Sequence, residues 1–246
     1  MTLKLKLIIS NVLLAVITLL LVGVTIAYFS DTAQISNTFT SGSVKIMLSE
    51  SAVKKDQFGN LVADNEATKI FGGQDATFHD YGKIHPGQTI YKDPTIQNTG
   101  TNNAWIAAQI TFEDGNGELQ NVMKLENKDG IDIKKILSGG ILDEQAQVGM
   151  WNGLENVLYN EHFAMVQIPN AAEGEYAFYI FYHETFAQGD VEMLFDTLKI
   201  PREWNNKEMQ ELENLNIKVQ AFASQTEGME NCLHAMRTAF PDYFNF

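Results

Sequence analysis

The sequence contains almost no cysteine and far fewer basic than acidic residues. Cys232 is the only cysteine among 246 residues, so the chain forms no internal disulfide and depends on packing for its stability. The formal net charge is −14, from 17 basic and 31 acidic residues. A surface this acidic repels nucleic acids and anionic lipid headgroups, so neither is expected as a partner.

The sequence also lacks the motifs of common hydrolases and metal-binding loops. His183-Glu184 is not followed by a second histidine at the spacing of a zinc protease. Nucleophile motifs of the Gly-x-Ser-x-Gly type, glycine-rich phosphate loops and twelve-residue calcium loops are absent. His79, Asp80 and His85 are weak candidates for metal ligands, because histidines on one loop are more often solvated than bound to zinc. We therefore predict no catalytic residue and no cofactor.

One long apolar run lies near the start of the chain. Lys4 and Lys6 precede apolar residues that continue from Leu7 to Ile26. Thr25-Ile26-Ala27 places small side chains where a signal peptidase requires them, which predicts a leader at 1–27 and cleavage between Ala27 and Tyr28. The run is also long enough to span a bilayer, so an uncleaved membrane anchor is the alternative. Cleavage is favoured because no basic stop-transfer cluster follows the run.

Residues 28–43 form a polar N-terminal arm with one apolar face. Phe29, Ala33, Ile35 and Phe39 all have odd numbers, so they can lie on one side of an extended strand. Such an arm is a candidate donor strand for the sheet edge of a partner, with these four residues as anchors. An ordinary first strand in the chain's own sheet explains the same pattern equally well.

The remaining residues, 44–246, have the pattern of an all-β domain. Even-numbered residues from Ile106 to Phe112 are all apolar and are expected to face the core. The strongest β signal is 176–186, and a turn at Gly189-Asp190 suggests 191–200 as its pairing partner. We interpret 113–175 as containing an insertion of mixed structure.

Two helices are expected to accompany these strands. A short one follows Pro201, and apolar residues at helical spacing predict a C-terminal helix at about 229–239. Cys232 lies beside that apolar stripe, which favours a buried and unreactive thiol. Strands separated by Gly, Pro and Asn turns indicate a two-sheet antiparallel β-sandwich, and alternation alone does not separate jelly-roll from immunoglobulin-like topology.

Several segments resemble one family of exported proteins. The leader ends in Ala27-Tyr28-Phe29-Ser30-Asp31-Thr32, and Ile84-His85-Pro86-Gly87-Gln88-Thr89 is followed by Ile96-Gln97-Asn98-Thr99-Gly100-Thr101. These motifs, with the later segments 178–182, 194–196 and 221–225, resemble the TasA and camelysin (CalY) family. The segment from about Glu113 to Glu173 matches nothing in that family.

The resemblance implies both a fold and a function. It implies a jelly-roll sandwich, removal of the leader by a signal peptidase of the SipW type, and secretion to the extracellular matrix or cell surface. We expect a structural subunit of biofilm matrix fibres, a head-to-tail homopolymer in which each arm inserts into the next subunit. Camelysins are described as surface metalloproteases, so a metallopeptidase is one alternative. A monomeric surface-binding module, with its arm folded into its own sheet, is another.

Overall fold

The chain folds into three β-sheets and a C-terminal helix within the residues that the computed structural model describes. Those residues are 30–32, 43–58, 60–67, 70–71, 85–113, 136–168, 176–200, 202 and 216–246. The strands are β1 (Ser30–Thr32), β2 (Ile46–Glu50), β3 (Val53–Lys55), β4 (Leu61–Ala63), β5 (Ile70–Phe71), β6 (Thr89–Tyr91), β7 (Thr95–Asn98), β8 (Ala104–Glu113), β9 (Leu137–Ser138), β10 (Gln147–Trp151), β11 (Leu154–Tyr159), β12 (Phe163–Ile168), β13 (Tyr176–Tyr182), β14 (Val191–Met193), β15 (Thr197–Lys199) and β16 (Asn216–Gln225). The helix α1 is Cys232–Ala239, and a 3-10 turn spans Gly140–Asp143. The predicted all-β, sandwich-like class is confirmed.

The largest sheet has seven strands in the order β1-β16-β8-β13-β12-β11-β10. Its two ten-residue strands, β8 and β16, pair antiparallel along their whole length. Strands β10 to β13 form an antiparallel meander at the other end of the sheet. The apolar even-numbered residues of β8 fix its register, because a one-residue shift would move them to the opposite face of the sheet.

Two smaller sheets share one core with the large sheet. One has the order β14-β7-β2-β5 and the other β3-β4-β6-β15-β9. The even-numbered residues of β8 face this core, as predicted, with Ile106, Ile110 and Phe112 almost completely buried. The second layer of the sandwich is therefore divided between two sheets rather than formed by a single one.

The opposite face of the large sheet is covered by α1 and the residues that follow it. Leu233, Met236 and Phe244 pack with Phe181 and Phe222 in a second buried cluster. The helix begins where the Asn231 side chain accepts a hydrogen bond from the backbone N–H of His234, at 2.9 Å. The predicted C-terminal helix is confirmed, and the central strands of the large sheet are consequently buried on both faces.

The predicted pairing of 191–200 with 176–186 is wrong. Strand β14 pairs with β7, and β15 pairs with β6 and β9. The chain leaves the large sheet at the turn, where Gly189 N–H donates to the Asn98 carbonyl at 2.8 Å and Asn98 N–H donates to the Asp190 carbonyl at 3.0 Å. These two bonds hold the turn against the second layer, so the next strands join that layer.

The described part of the predicted mixed insertion contributes mostly to the large sheet. Residues 136–143 contain β9 and the 3-10 turn, whereas 147–168 form β10, β11 and β12. Asn152 and Gly153 connect β10 to β11 with φ values of 45° and 82°, the left-handed pair that a two-residue hairpin requires. The helix predicted after Pro201 lies outside the described residues.

Candidate functional site

Strand β16 presents one apolar face to the main core and one edge to β1. Its odd-numbered residues supply that face: Ala221 and Ala223 are fully buried, and Ile217 and Val219 pack against the same cluster. Phe222 points to the opposite face and packs beneath α1. Strand β8 occupies one edge of β16 along its whole length, so only the other edge of β16 is open to a further strand.

The N-terminal segment pairs with this second edge. Strand β1 runs antiparallel to β16, with Ser30 opposite Ser224, Asp31 opposite Ala223 and Thr32 opposite Phe222. Among the residues with described positions, the pairing covers these three. An edge of this kind accepts an added strand through main-chain hydrogen bonds alone.

The base of the arm is fixed by the turn that contains Asn98-Thr99-Gly100. The Lys45 carbonyl accepts hydrogen bonds from Thr99 N–H and Gly100 N–H, both at 2.9 Å. Thr101 N–H donates to the Ser43 carbonyl at 3.0 Å, and Ser43 N–H donates to Thr101 Oγ1 at 3.1 Å. These bonds hold 43–45 on the sandwich immediately before β2 begins.

The buried side chain of Asn98 holds this turn in place. Its Oδ1 accepts from Gly100 N–H at 2.9 Å, and its Nδ2 donates to the carbonyls of Asn102 and Phe186 at 2.9 Å each. A Cβ on Gly100 would lie 2.3 Å from the Ser43 carbonyl oxygen, so a larger residue requires backbone movement. The Asn-Thr-Gly motif therefore has a visible structural role at the base of the arm.

Most of the predicted arm and cleavage residues lie outside the described residues. This applies to Thr25, Ala27, Tyr28, Phe29, Ala33, Ile35 and Phe39. Their roles as cleavage positions and donor-strand anchors stay predictions. Within 28–43, the structure describes Ser30–Thr32, which it places on the edge of β16, and Ser43, which it places at the Asn98 turn.

The structure describes one of the three predicted metal ligands, His85. His79 and Asp80 lie outside the described residues, and His85 is exposed beside the Pro86-Gly87 turn. The backbone N–H of His85 donates to Gln88 Oε1 at 2.9 Å. Among the residues with described positions, no group of three or more His, Cys, Asp or Glu side chains is arranged to hold a metal ion.

One histidine pair was not found by sequence reasoning. The backbone N–H of His183 donates to the backbone carbonyl of His162 at 2.8 Å. The His183 ring stacks on Trp151, with ring centroids 5.6 Å apart. Burial lowers the pKa of His183. The pair forms because β12 and β13 align Phe163 with Tyr182. Only the strand register brings these histidines together, so no local motif signals the contact.

Cys232 lies under the sheet-facing side of α1, as predicted. Its thiol is buried and donates to the Ile106 carbonyl at 3.1 Å. Burial raises the pKa of this thiol well above its usual range. A thiol in this environment is a packing group rather than a nucleophile.

These observations define an all-β, sandwich-like protein whose N-terminal segment occupies one edge of its largest sheet. No protein family, curated protein or solved structure matches the chain. Within the described ranges, no helix is long and apolar enough to cross a membrane, and the predicted leader at 1–27 lies outside those ranges.

Proposed function

We propose that the protein is an exported structural subunit that polymerises head to tail into extracellular matrix fibres. The observation that carries this proposal is the pairing of β1 with the edge of β16. A pairing that uses main-chain groups is available to the arm of a second copy as well as to the chain's own arm. Exchange of one element between identical chains is a common route to assembly.

The direction of the contact favours filaments over closed dimers. In the proposed fibre, the arm of one subunit occupies the β16 edge of the next, and that subunit's arm passes to a third. Such a contact joins two different surfaces and does not close on itself, so it extends without limit. The β16 edge of the same chain competes with the next subunit for the arm, because the arm and that edge are tethered at a high effective concentration.

The arm sequence suits this edge in the register observed for β1. If a donor arm continues in that register, Ala33 falls opposite Ala221 and Ile35 opposite Val219, two positions on the core face, and Asp31, opposite Ala223, is the charged member of that face. Gln34 then falls opposite Gln220, which keeps polar residues together. Shifting the register by one residue would move every apolar anchor to the wrong face.

The leader provides the timing of assembly in this proposal. While 1–27 is attached, the arm is held at the membrane and is not free to enter another subunit. Cleavage after Ala27 by a peptidase of the SipW type releases the arm outside the cell. The proposed location is therefore the extracellular matrix or the cell surface.

The experiment that tests the proposal replaces Phe29 and Ile35 with aspartate in the mature chain. Each buried apolar side chain stabilises a contact by roughly 1.5–3 kcal/mol, so two losses weaken association by about two to four powers of ten. We expect a folded, soluble protein that does not elongate into fibres. The matched control is Val191→Asp, an equally drastic change at an exposed position on β14.

Electron micrographs of the mature chain, with and without seeds, distinguish the outcomes. Normal fibres from the double variant would show that the arm is not the connector. A wild-type protein that stays monomeric at high concentration would support the second candidate, a surface-binding module. The same β1–β16 contact favours this candidate if each arm stays permanently on the β16 edge of its own chain.

The metallopeptidase alternative requires a different arrangement. His79, Asp80 and His85 would have to converge on one ion, and His85 is exposed on its turn. Proteolysis that is sensitive to chelators and abolished by His85→Ala would support it over both other candidates.

A further inference from the structure

The edge of the large sheet opposite β1 is formed by β10. Among the described strands, β10 pairs only with β11. Natural edge strands are normally protected by charged side chains, proline or covering segments. Residues 145–154 contain no charged residue and no proline, although the whole chain carries 17 basic and 31 acidic residues. This edge therefore lacks the charges that usually prevent pairing with another strand.

Two exposed apolar side chains lie on this edge. Val148 is 68% exposed and Met150 is 66% exposed. They flank Gly149, where the β10–β11 register shifts by one residue on the β11 side, so the alternation within β10 still places both on one face. Val148 pairs with Leu158, which packs against the main core. The exposed pair thus extends the core face of the large sheet beyond the region that the described second layer covers.

We propose that β10 pairs antiparallel with β10 of a second copy, about a two-fold axis through Gly149. In this register Val148 of each copy lies opposite Met150 of the other. Both cross-strand pairs are apolar and lie on the same face, where neighbouring side chains stabilise a sheet. The two large sheets then form one continuous sheet across the axis.

The charge distribution favours a second copy as the occupant. Two molecules that each carry a net charge of −14 repel one another at most surfaces. A two-fold contact places the same strand on both sides, so a charged edge would oppose itself. The uncharged segment 145–154 avoids that repulsion, and its Val-Gly-Met sequence is nearly symmetric about the axis.

The proposed contact differs from the arm contact in its geometry and consequence. The arm joins subunits along a filament, whereas β10 would join two subunits side by side. In the fibres proposed above, this contact links neighbouring filaments into bundles. The lateral consequence rests on the proposed fibre function, but the pairing of two β10 strands does not.

Cysteine cross-linking of the mature chain tests the register. Gly149→Cys places two thiols directly opposite one another at the axis, within reach of a disulfide. Val148→Cys alone places them at diagonal positions about 7–8 Å apart, too far for efficient bridging. Gly149 does not have a positive φ, and a Cβ added there would lie 3.3 Å from the Tyr159 ring, so cysteine requires a small shift of that ring. The native Cys232 is present in every variant, and because it is buried it contributes only background cross-linking.

We expect most of the Gly149→Cys protein to form a disulfide-linked dimer under mild oxidation, at least tenfold more than Val148→Cys. Val191→Cys, at an exposed position on β14, is the control for random collision. The double variant Val148→Cys with Met150→Cys should restore cross-linking. Equal yields from Gly149→Cys and Val191→Cys, or a monomeric Gly149→Cys protein, would overturn the proposal.

A second measurement separates this proposal from the fibre proposal. In the Phe29→Asp, Ile35→Asp background, sedimentation should still detect a concentration-dependent dimer. Adding Val148→Lys and Met150→Lys should convert that dimer to a monomer without changing the circular dichroism spectrum. A monomer before the lysines are added would overturn the β10 contact, whereas continued elongation would overturn the arm contact instead.

Discussion

Replacing Asn98 with alanine tests how firmly the base of the arm is held. The Asn98 side chain is buried and makes three hydrogen bonds, to Gly100 N–H and to the carbonyls of Asn102 and Phe186. The Phe186 carbonyl also accepts from Ala104 N–H. Gly100 N–H also donates to the Lys45 carbonyl. The alanine variant therefore leaves both of these groups with another partner.

Because Gly100 N–H and the Phe186 carbonyl stay bonded and Asn102 is exposed to water, the ordinary net value of about 1 kcal/mol per hydrogen bond applies. The larger penalty for a buried group without any partner does not. Three lost bonds should lower the free energy of unfolding by about 3 kcal/mol. With a urea m-value of roughly 1–3 kcal/mol/M, the unfolding midpoint should fall by about 1–3 M.

The assay is urea unfolding of the mature chain, followed by tryptophan fluorescence and circular dichroism. Thr99→Ala is the matched control, because Thr99 is exposed and its hydroxyl lies 3.4 Å from the Lys45 carbonyl. We expect the control to change stability by less than about 0.5 kcal/mol. A loss below about 1 kcal/mol for Asn98→Ala, or equal losses in the two variants, would refute the assignment of Asn98 as the residue that fixes this turn.

Two further predictions concern the leader and the thiol. The mature N-terminus should be Tyr28, and Ala27→Arg should keep the protein at the membrane; mass spectrometry of exported protein that still contains Lys4 to Ala27 would contradict this. Cys232 should fail to react with a thiol reagent at pH 8 in the folded protein and should react fully in denaturant, because burial raises its pKa and the thiolate is the reactive form. Rapid labelling of the folded protein would show that the thiol is accessible.

The positions of the two candidate contacts follow from the layering of the sandwich. The large sheet has the main core on one face and α1 on the other, so its central strands have no free face. Additional strands can join this sheet only at its ends, next to β16 or β10. The arm contact uses the first end, and the proposed lateral contact uses the second.

Local patterns in the sequence were sufficient to identify several elements. The alternation of residues 106–112 predicts which side of β8 faces the main core, because successive side chains of a strand point to opposite faces. Helical spacing predicts α1, and the position of Cys232 beside that apolar stripe predicts its burial. These features depend only on neighbouring residues, so they can be read without knowing how distant segments pair.

The partners of those elements were decided by the tertiary structure. Residues 191–200 have a suitable strand pattern, yet they join the second layer because Asn98 binds the preceding turn at Gly189 and Asp190. His162 meets His183 only through the β12–β13 register. Alternation in the N-terminal arm indicates an extended strand but not whose sheet receives it. The sequence by itself thus determined which side of a strand faces the main core, and the tertiary structure decided which edges meet, because strand pairing uses backbone groups that every residue shares.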